Sequence, residues 1–136
     1  MYKRQGWGGL EVPDDLAGPD VLVRRSVDHA SVLPRCAAAL HHAGAGTAHA
    51  VVAAGVPSVP VPMFADQPFW ARRLHAAGLA GPPVPGGRLT AARLDRALDA
   101  LPPRADLAGP AARMAAEDGV GVAWEVLEET AGLRRP

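Results

Sequence analysis

The run from His41 to Thr47, read His-His-Ala-Gly-Ala-Gly-Thr, carries residue types suited to holding an anion. It lies between an apolar run that predicts a strand and a pattern that predicts a helix beginning near Thr47. Small residues let the backbone approach a ligand closely, and a helix start offers unpaired N–H groups at its positive dipole end. Thr47 adds a hydroxyl donor, and His42 adds an imidazole N–H or a positive charge. The run therefore predicts a phosphate or diphosphate site.

The same run has a structural alternative, and three known kinds of ligand site can be compared with it. A turn of small residues before a helix also serves a purely structural purpose. No Gly-Lys-Ser/Thr follows, so this is not a Walker loop, and the dinucleotide fingerprint G-x-G-x-x-G is incomplete. The histidines at 41, 42 and 49, with Cys36 nearby, fit no standard zinc spacing, so no metal site is predicted.

A second polar pair, Asp66-Gln67, follows another predicted strand. A carboxylate beside an amide can accept from and donate to neighbouring hydroxyl groups, as sugar recognition requires. Asp66 also stands where the N-cap of the following helix is expected, and because capping uses one oxygen only, both roles are compatible. The pair predicts a sugar contact, a helix cap, or both.

Alternating strands and helices must position these residues. Residues 1–5 are poor strand material, and the strand that should precede the turn Gly6 to Leu10 is expected to be missing or replaced. Asp28 is the predicted N-cap of a short helix over residues 30–35, while Gly55 and Gly78 are placed to end helices. Further strands are predicted at residues 21–23, 37–41 and 58–61, and further helices at 47–54, 67–77, 90–101, 106–117 and 120–130. The alternation predicts one α/β domain over residues 1–136, with a Rossmann-like parallel sheet of three or more strands flanked by helices.

Composition excludes several classes of function. The 136 residues contain 14 basic and 14 acidic side chains, whereas a general nucleic-acid or anionic-membrane surface needs a basic excess. The sequence contains no apolar run long enough to span a bilayer and no signal peptide, so a cytoplasmic location is expected. Cys36 is the single cysteine, which rules out an internal disulfide.

Several motifs, taken in order, resemble the donor box of nucleotide-sugar glycosyltransferases of the GT-B fold. They are His42 to Thr47, Gly55-Val56-Pro57, Val61-Pro62 and Asp66 to Trp70, with weaker similarity at Gly6 to Leu10 and Ala116 to Val120. The resemblance covers residues 6–127 and points to bacterial antibiotic-decorating enzymes and sterol glucosyltransferases. It implies the C-terminal, donor-binding half of a GT-B fold.

The resemblance also implies roles for single residues. The donor diphosphate would be held by His42, Gly44, Ala45, Gly46 and Thr47. The donor sugar would contact Asp66 and Gln67, the nucleobase would lie against Ser26 and Val27, and Trp7 would lie on a loop facing the interdomain cleft.

Two departures from the family pattern bear on the site. Ala43 replaces a usual glycine, which is tolerable provided that the backbone keeps a negative φ there. Ala50 stands where plant enzymes carry a ribose-binding glutamate, so plant-type uridine selectivity is in doubt and a thymidine diphosphate donor stays open.

The family implies an inverting, metal-independent transfer from a UDP- or TDP-sugar, without a further cofactor, to a hydroxylated small molecule or lipid. Its catalytic base belongs to an N-terminal acceptor domain, and no residue of this sequence matches that base, so the 136 residues alone are expected to be inactive. Two alternatives stay open: a non-catalytic nucleotide-sugar-binding module, or one subunit of a split enzyme. A nucleotide-sugar 2-epimerase would share the fold, but the Asp66-Gln67-Pro68 run speaks against it.

Overall fold

A computed structural model describes residues 2–4, 19–24 and 26–132 of the chain. These residues form four short strands and six α-helices. In chain order they are β1 (Tyr2–Arg4), β2 (Leu22–Arg24), α1 (His29–Val32), β3 (Ala39–His41), α2 (Ala45–Ala53), β4 (Ser58–Pro60), α3 (Gln67–Ala76), α4 (Ala91–Asp99), α5 (Arg104–Ala116) and α6 (Gly119–Ala131). Single 3-10 turns lie at Leu33–Arg35 and Gly86–Arg88.

The strands pair in parallel, which confirms the predicted parallel α/β class. β3 pairs with β4, with Leu40 opposite Val59, and β1 pairs with β2, with Lys3 opposite Val23. Within the described ranges these are two separate two-stranded ladders rather than one continuous sheet of three or more strands.

Residues 2–4 form a short strand although the segment is poor strand material, which is compatible with the replaced strand that the sequence allowed. Tyr2–Arg4 runs parallel to Leu22–Arg24, so β2 supplies hydrogen-bond partners on one side of this strand. Strand propensity is weak in this segment, but pairing with a partner strand outweighs it, as tertiary context commonly does.

The core surrounds β4 and α2. All three residues of β4 are buried, as expected for a strand covered on both sides. Three small apolar clusters make up this core. The first contains Val59, Val61, Val84 and Ala97 of α4. The second contains Val51 of α2 with Leu33 and Val56. The third joins α2 to α3 and contains Ala48, Leu74 and Ala80. Together these clusters fix α2 and the β3–β4 pair, the elements on either side of the His41–Thr47 run.

Most predicted helix ends are confirmed by local chemistry. The Asp28 carboxylate accepts from the backbone N–H groups of Ala30 and Ser31, which caps α1. Gly55 and Gly78 adopt φ +59° and +70° directly after α2 and α3, a region that glycine enters without steric cost.

The predicted start of α2 near Thr47 is two residues late. Gly44, with extended backbone angles of φ −63° and ψ 145°, is the N-cap, and the first helical residue is Ala45. Gly44 C=O accepts from Ala48 N–H at 2.9 Å, so the helical ladder already begins at residue 44. The apolar pattern could not show this because Ala45 and Gly46 are too small to carry a periodicity signal.

Candidate functional site

Two polar segments lie at the same edge of the β3–β4 pair. β3 ends at His41 and β4 ends at Pro60, and these two residues are register partners in parallel strands. Val61 N–H donates to His41 C=O at 2.7 Å and extends this contact past the strand ends. The turn after His41 and the loop after Pro60 therefore leave the same carboxyl edge, which is where open parallel sheets bind ligands.

The start of α2 is chemically open toward this edge. Among the described residues, no side chain caps α2 at Gly44. The N–H groups of Ala45, Gly46 and Thr47 belong to the first turn, so they have no partner within the helix. An added Cβ at Gly46 would meet no atom of the surrounding structure within 4 Å, so the space on that side of Gly46 is open. The arrangement suits an anion that accepts several N–H bonds at once.

His42 lies beside the same helix start. Its side chain is exposed, and its ring is folded over Gly44, so that a Cβ at Gly44 would come within 2.5 Å of His42 Nε2. The lack of a side chain at position 44 thus leaves room for the imidazole. His42 and the first turn of α2 are brought together as the sequence predicted, while their contact with a diphosphate stays a prediction.

Ala43 differs from expectation, because its φ is +62° rather than negative. The residue is completely buried, and its N–H donates to His41 Nδ1 at 3.2 Å. A residue with a Cβ pays a steric cost in this left-handed region, so neighbouring contacts must hold it there.

The sequence predicted no role for Ser58, and none for His41 beyond its place at the start of the small-residue run. His41 is buried at the end of β3, and its Nε2 lies 3.2 Å from Ser58 Oγ on β4. Burial, and then the charge of neighbouring His42, lower the pKa of His41 to about 4. No local motif links positions 41 and 58, so only the strand pairing reveals this contact.

Asp66 occupies the N-cap position of α3, but its carboxylate makes no capping bond. Its Oδ2 instead accepts from the indole Nε1 of Trp70 at 2.9 Å, a partner that sequence reasoning also missed although it lies four residues along the same helix. The side-chain cap considered from the sequence is therefore wrong. The exposed carboxylate remains accessible at the edge of the sheet, as a sugar contact needs.

Gln67 is buried and already engaged through its oxygen. Its Oε1 accepts from Met63 N–H at 2.8 Å and from Phe64 N–H at 3.2 Å. These bonds fix the loop between β4 and α3. The amide nitrogen is the part of Gln67 left for the predicted sugar contact.

The predicted nucleobase segment lies after β2. Ser26 is exposed and Val27 is half-buried, and both precede the N-cap Asp28. They thus follow the carboxyl end of a parallel strand, as the other two segments do. Trp7 lies outside the described residues.

Over residues 2–4, 19–24 and 26–132, no three His, Cys, Asp or Glu side chains are grouped so as to hold a metal ion. No helix in the same ranges combines the length and apolar character needed to cross a membrane.

Solved structures of glycosyltransferases share this fold. The glycosyltransferase of kitacinnamycin superposes with a TM-score of 0.72 and 27% identity, covering 82% of this chain and 30% of that one. SnogD from Streptomyces nogalater superposes with a TM-score of 0.63 and 26% identity, covering 85% of this chain and 31% of that one.

Similar proteins of known activity are glycosyltransferases too. The chain is 41% identical over 128 residues to O-mycaminosyltylonolide 6-deoxyallosyltransferase of Streptomyces fradiae, covering 90% of this chain and 30% of that protein. It is 34% identical over 135 residues to vancomycin aglycone glucosyltransferase of Amycolatopsis orientalis, covering 97% and 32% respectively. It is 40% identical over 98 residues to a sterol 3-beta-glucosyltransferase of Arabidopsis thaliana, covering 70% and 15%. The chain spans about a third or less of the length of these relatives.

The family match covers the whole site except Trp7. Residues 12–127 match the family described as "Erythromycin biosynthesis protein CIII-like, C-terminal domain". That range includes every described element from β2 to α5 and most of α6. The chain therefore belongs to the erythromycin biosynthesis protein CIII-like C-terminal domains of the GT-B glycosyltransferases.

Proposed function

We propose that this domain holds the nucleoside diphosphate sugar donor of a glycosyltransferase, with the diphosphate at the start of α2. The observation that supports this most directly is the uncapped first turn at Gly44, which leaves the sheet edge with His42 beside it. A diphosphate presents several acceptor oxygens and negative charge, and both match the N–H groups and the dipole of a helix start.

The proposed contacts to the sugar and the nucleobase come from the loops that follow β4 and β2. Asp66 and the Gln67 amide nitrogen face the donor sugar from the loop after β4, and Ser26 and Val27 lie against the nucleobase after β2. The three segments each follow the carboxyl end of a strand. The diphosphate and sugar contacts then lie at the edge of the β3–β4 pair, and the nucleobase contact follows β2 of the other ladder.

The proposed reaction is an inverting and metal-independent transfer from a UDP- or TDP-sugar. As the bond to the sugar breaks, negative charge grows on the leaving diphosphate. The N–H groups of Ala45, Gly46 and Thr47, together with His42, are fixed in advance where that charge develops, which is how an enzyme stabilises a transition state without reorganisation. The acceptor is a hydroxylated small molecule or a sterol-like lipid, the classes named in the relatives' activities. Cytoplasmic location stays a prediction.

Calorimetry of the 136-residue polypeptide with UDP and TDP tests the site. We expect His42→Ala and Thr47→Ala each to weaken nucleotide binding by about 10- to 150-fold, because a hydrogen bond to a charged group contributes roughly 1.5–3 kcal/mol. His49→Ala is the matched control, since His49 is exposed on the same helix but beyond its first turn. Unchanged affinity in both site variants would show that the site assignment is wrong.

A second measurement concerns transfer itself. Inverting transfer needs a general base within hydrogen-bond reach of the acceptor hydroxyl, and the family takes this base from an acceptor domain. We expect the 136-residue polypeptide, shown to be folded by circular dichroism, to bind donor but to transfer no sugar from UDP- or TDP-glucose to a panel of hydroxylated acceptors. Robust turnover that Asp66→Ala abolishes would contradict this expectation and would require a base within these residues.

A further inference from the structure

His41 uses both of its ring nitrogens inside the protein. Its Nδ1 accepts from Ala43 N–H at 3.2 Å, so Nδ1 carries no proton, and Nε2 therefore carries the proton that points to Ser58 Oγ at 3.2 Å. The ring is 9% exposed and lies between β3, β4 and the turn that follows β3. Because protonation of Nδ1 would cost a buried hydrogen bond, this neutral tautomer is the one that the site accommodates.

Ala43 needs the support that this ring provides. Its φ of +62° places a Cβ-bearing residue in the left-handed region, which is sterically costly. The residue has no exposed surface, so an unpaired N–H here would add a desolvation cost. The bond to His41 satisfies this N–H and fixes the peptide plane between His42 and Ala43. Because packing of α2 holds the chain that follows, this plane keeps Ala43 in the left-handed conformation.

The conformation of Ala43 determines the geometry of the turn His42–Gly44. Ala43 lies between His42 and the N-cap Gly44, so its backbone angles set the direction in which the chain enters α2. They also set where the His42 ring lies relative to Gly44, over which it is folded. A change from positive to negative φ at position 43 would move His42 away from the first turn of α2.

We propose that His41 is a positioning residue that holds the turn His42–Gly44 in its donor-binding shape by fixing Ala43 in the left-handed conformation, with Ser58 orienting the ring. This rests on the proposed function for the identity of the ligand, but not for the geometry of the turn. His41 itself does not touch the donor. It links the paired strands to the helix start.

A double-mutant cycle tests the proposal, with calorimetric affinity for UDP as the readout. His41→Leu removes both ring contacts, and we expect UDP to bind about tenfold more weakly, equivalent to the loss of about one neutral hydrogen bond. Ala43→Gly should reduce the effect of His41→Leu to less than about threefold, because glycine reaches a positive φ without help. A His41 that merely filled space in the core would show no such rescue.

Ala65→Gly is the matched control. Ala65 also has a positive φ, +55°, and lies on the loop before α3, where no described hydrogen bond to His41 involves it. It should leave the effect of His41→Leu at about tenfold. If Ala65→Gly rescues as well as Ala43→Gly does, the rescue is a general gain in stability and the proposal is wrong.

A second variant and a ligand-free readout cover the case in which His41→Leu does not fold. His41→Asn keeps a side-chain oxygen close to the position of Nδ1 and loses the contact to Ser58, so it should retain UDP affinity better than Leu. Amide hydrogen exchange at Ala43, measured by NMR without ligand, should be slow in the wild type and in His41→Asn, and faster in His41→Leu. Fast exchange at Ala43 in the wild type, or equal exchange in all folded variants, would overturn the proposal. If the wild-type protein shows slow exchange but binds neither UDP nor TDP, the proposed function fails while the positioning role stands.

Discussion

Gln67 offers a test that separates support of the loop from recognition of the sugar. Its oxygen accepts from the backbone N–H groups of Met63 and Phe64, while its amide nitrogen is the group proposed to contact the donor. Gln67→Met keeps the length of the side chain but provides only a weak acceptor. Gln67→Glu keeps an acceptor oxygen and loses the NH₂ donor.

The expected magnitudes follow from these bonds. Gln67→Met leaves two loop N–H groups without their acceptor, and at roughly 0.5–1.5 kcal/mol for each bond the free energy of unfolding should fall by about 1–3 kcal/mol. Gln67→Glu should lose less, because two N–H donors to one carboxylate offset part of the cost of burying the charge. Since Gln67 is only 7% exposed, little of either change is screened by solvent.

Urea unfolding and calorimetry with UDP and UDP-glucose read the two roles separately. The ratio of UDP-glucose affinity to UDP affinity isolates the sugar contact, because the diphosphate contribution cancels. We expect Gln67→Glu to lower this ratio by about 2- to 12-fold while its urea midpoint stays closer to wild type than that of Gln67→Met. A wild-type midpoint in Gln67→Met would refute the loop argument, and a wild-type ratio in Gln67→Glu would refute the sugar contact.

Three further outcomes are expected. Trp70→Phe removes the 2.9 Å bond to Asp66, so the carboxylate loses its fixed orientation, and UDP-glucose but not UDP should bind about 2- to 12-fold more weakly by calorimetry. Gly81→Ala should lower the free energy of unfolding by about 1–3 kcal/mol, because the new Cβ would lie 2.9 Å from the backbone oxygen of Ala97 on α4. An unchanged midpoint of urea unfolding would show that α4 can shift without loss of stability. The third outcome is a dependence on pH. Folding lowers the pKa of His41 from 6.5 to about 4, so between these values the unfolded chain binds the extra proton, and the stability present above pH 6.5 is lost as the pH falls toward 4. Between pH 6.5 and 4, the free energy of unfolding should fall less in His41→Asn than in wild type, by on the order of 3 kcal/mol. If the free energy of unfolding depends on pH with the same slope in both proteins, the lowered pKa of His41 is contradicted.

Local signals in the sequence were sufficient to identify the family and to predict most boundaries of the helices and strands. The Asp28 cap and the helix ends at Gly55 and Gly78 depend on interactions within a few residues, so the sequence pattern carries them fully. The order of strand, small-residue turn and helix likewise predicted which edge of the sheet carries His42 and Asp66. These features follow from short-range backbone chemistry and from the handedness of parallel connections.

Contacts between distant positions were decided only by the tertiary structure. The strand at Tyr2–Arg4 exists because β2 supplies its hydrogen bonds, whatever its own propensity. The positive φ of Ala43 depends on a buried ring at His41 that Ser58, 17 positions along the chain, orients across the strand pair. A sequence shows which side chains can bond, but burial and strand register determine which of them meet. The backbone of the turn His42–Gly44 therefore follows from packing of the β3–β4 pair rather than from the small-residue motif that identifies it.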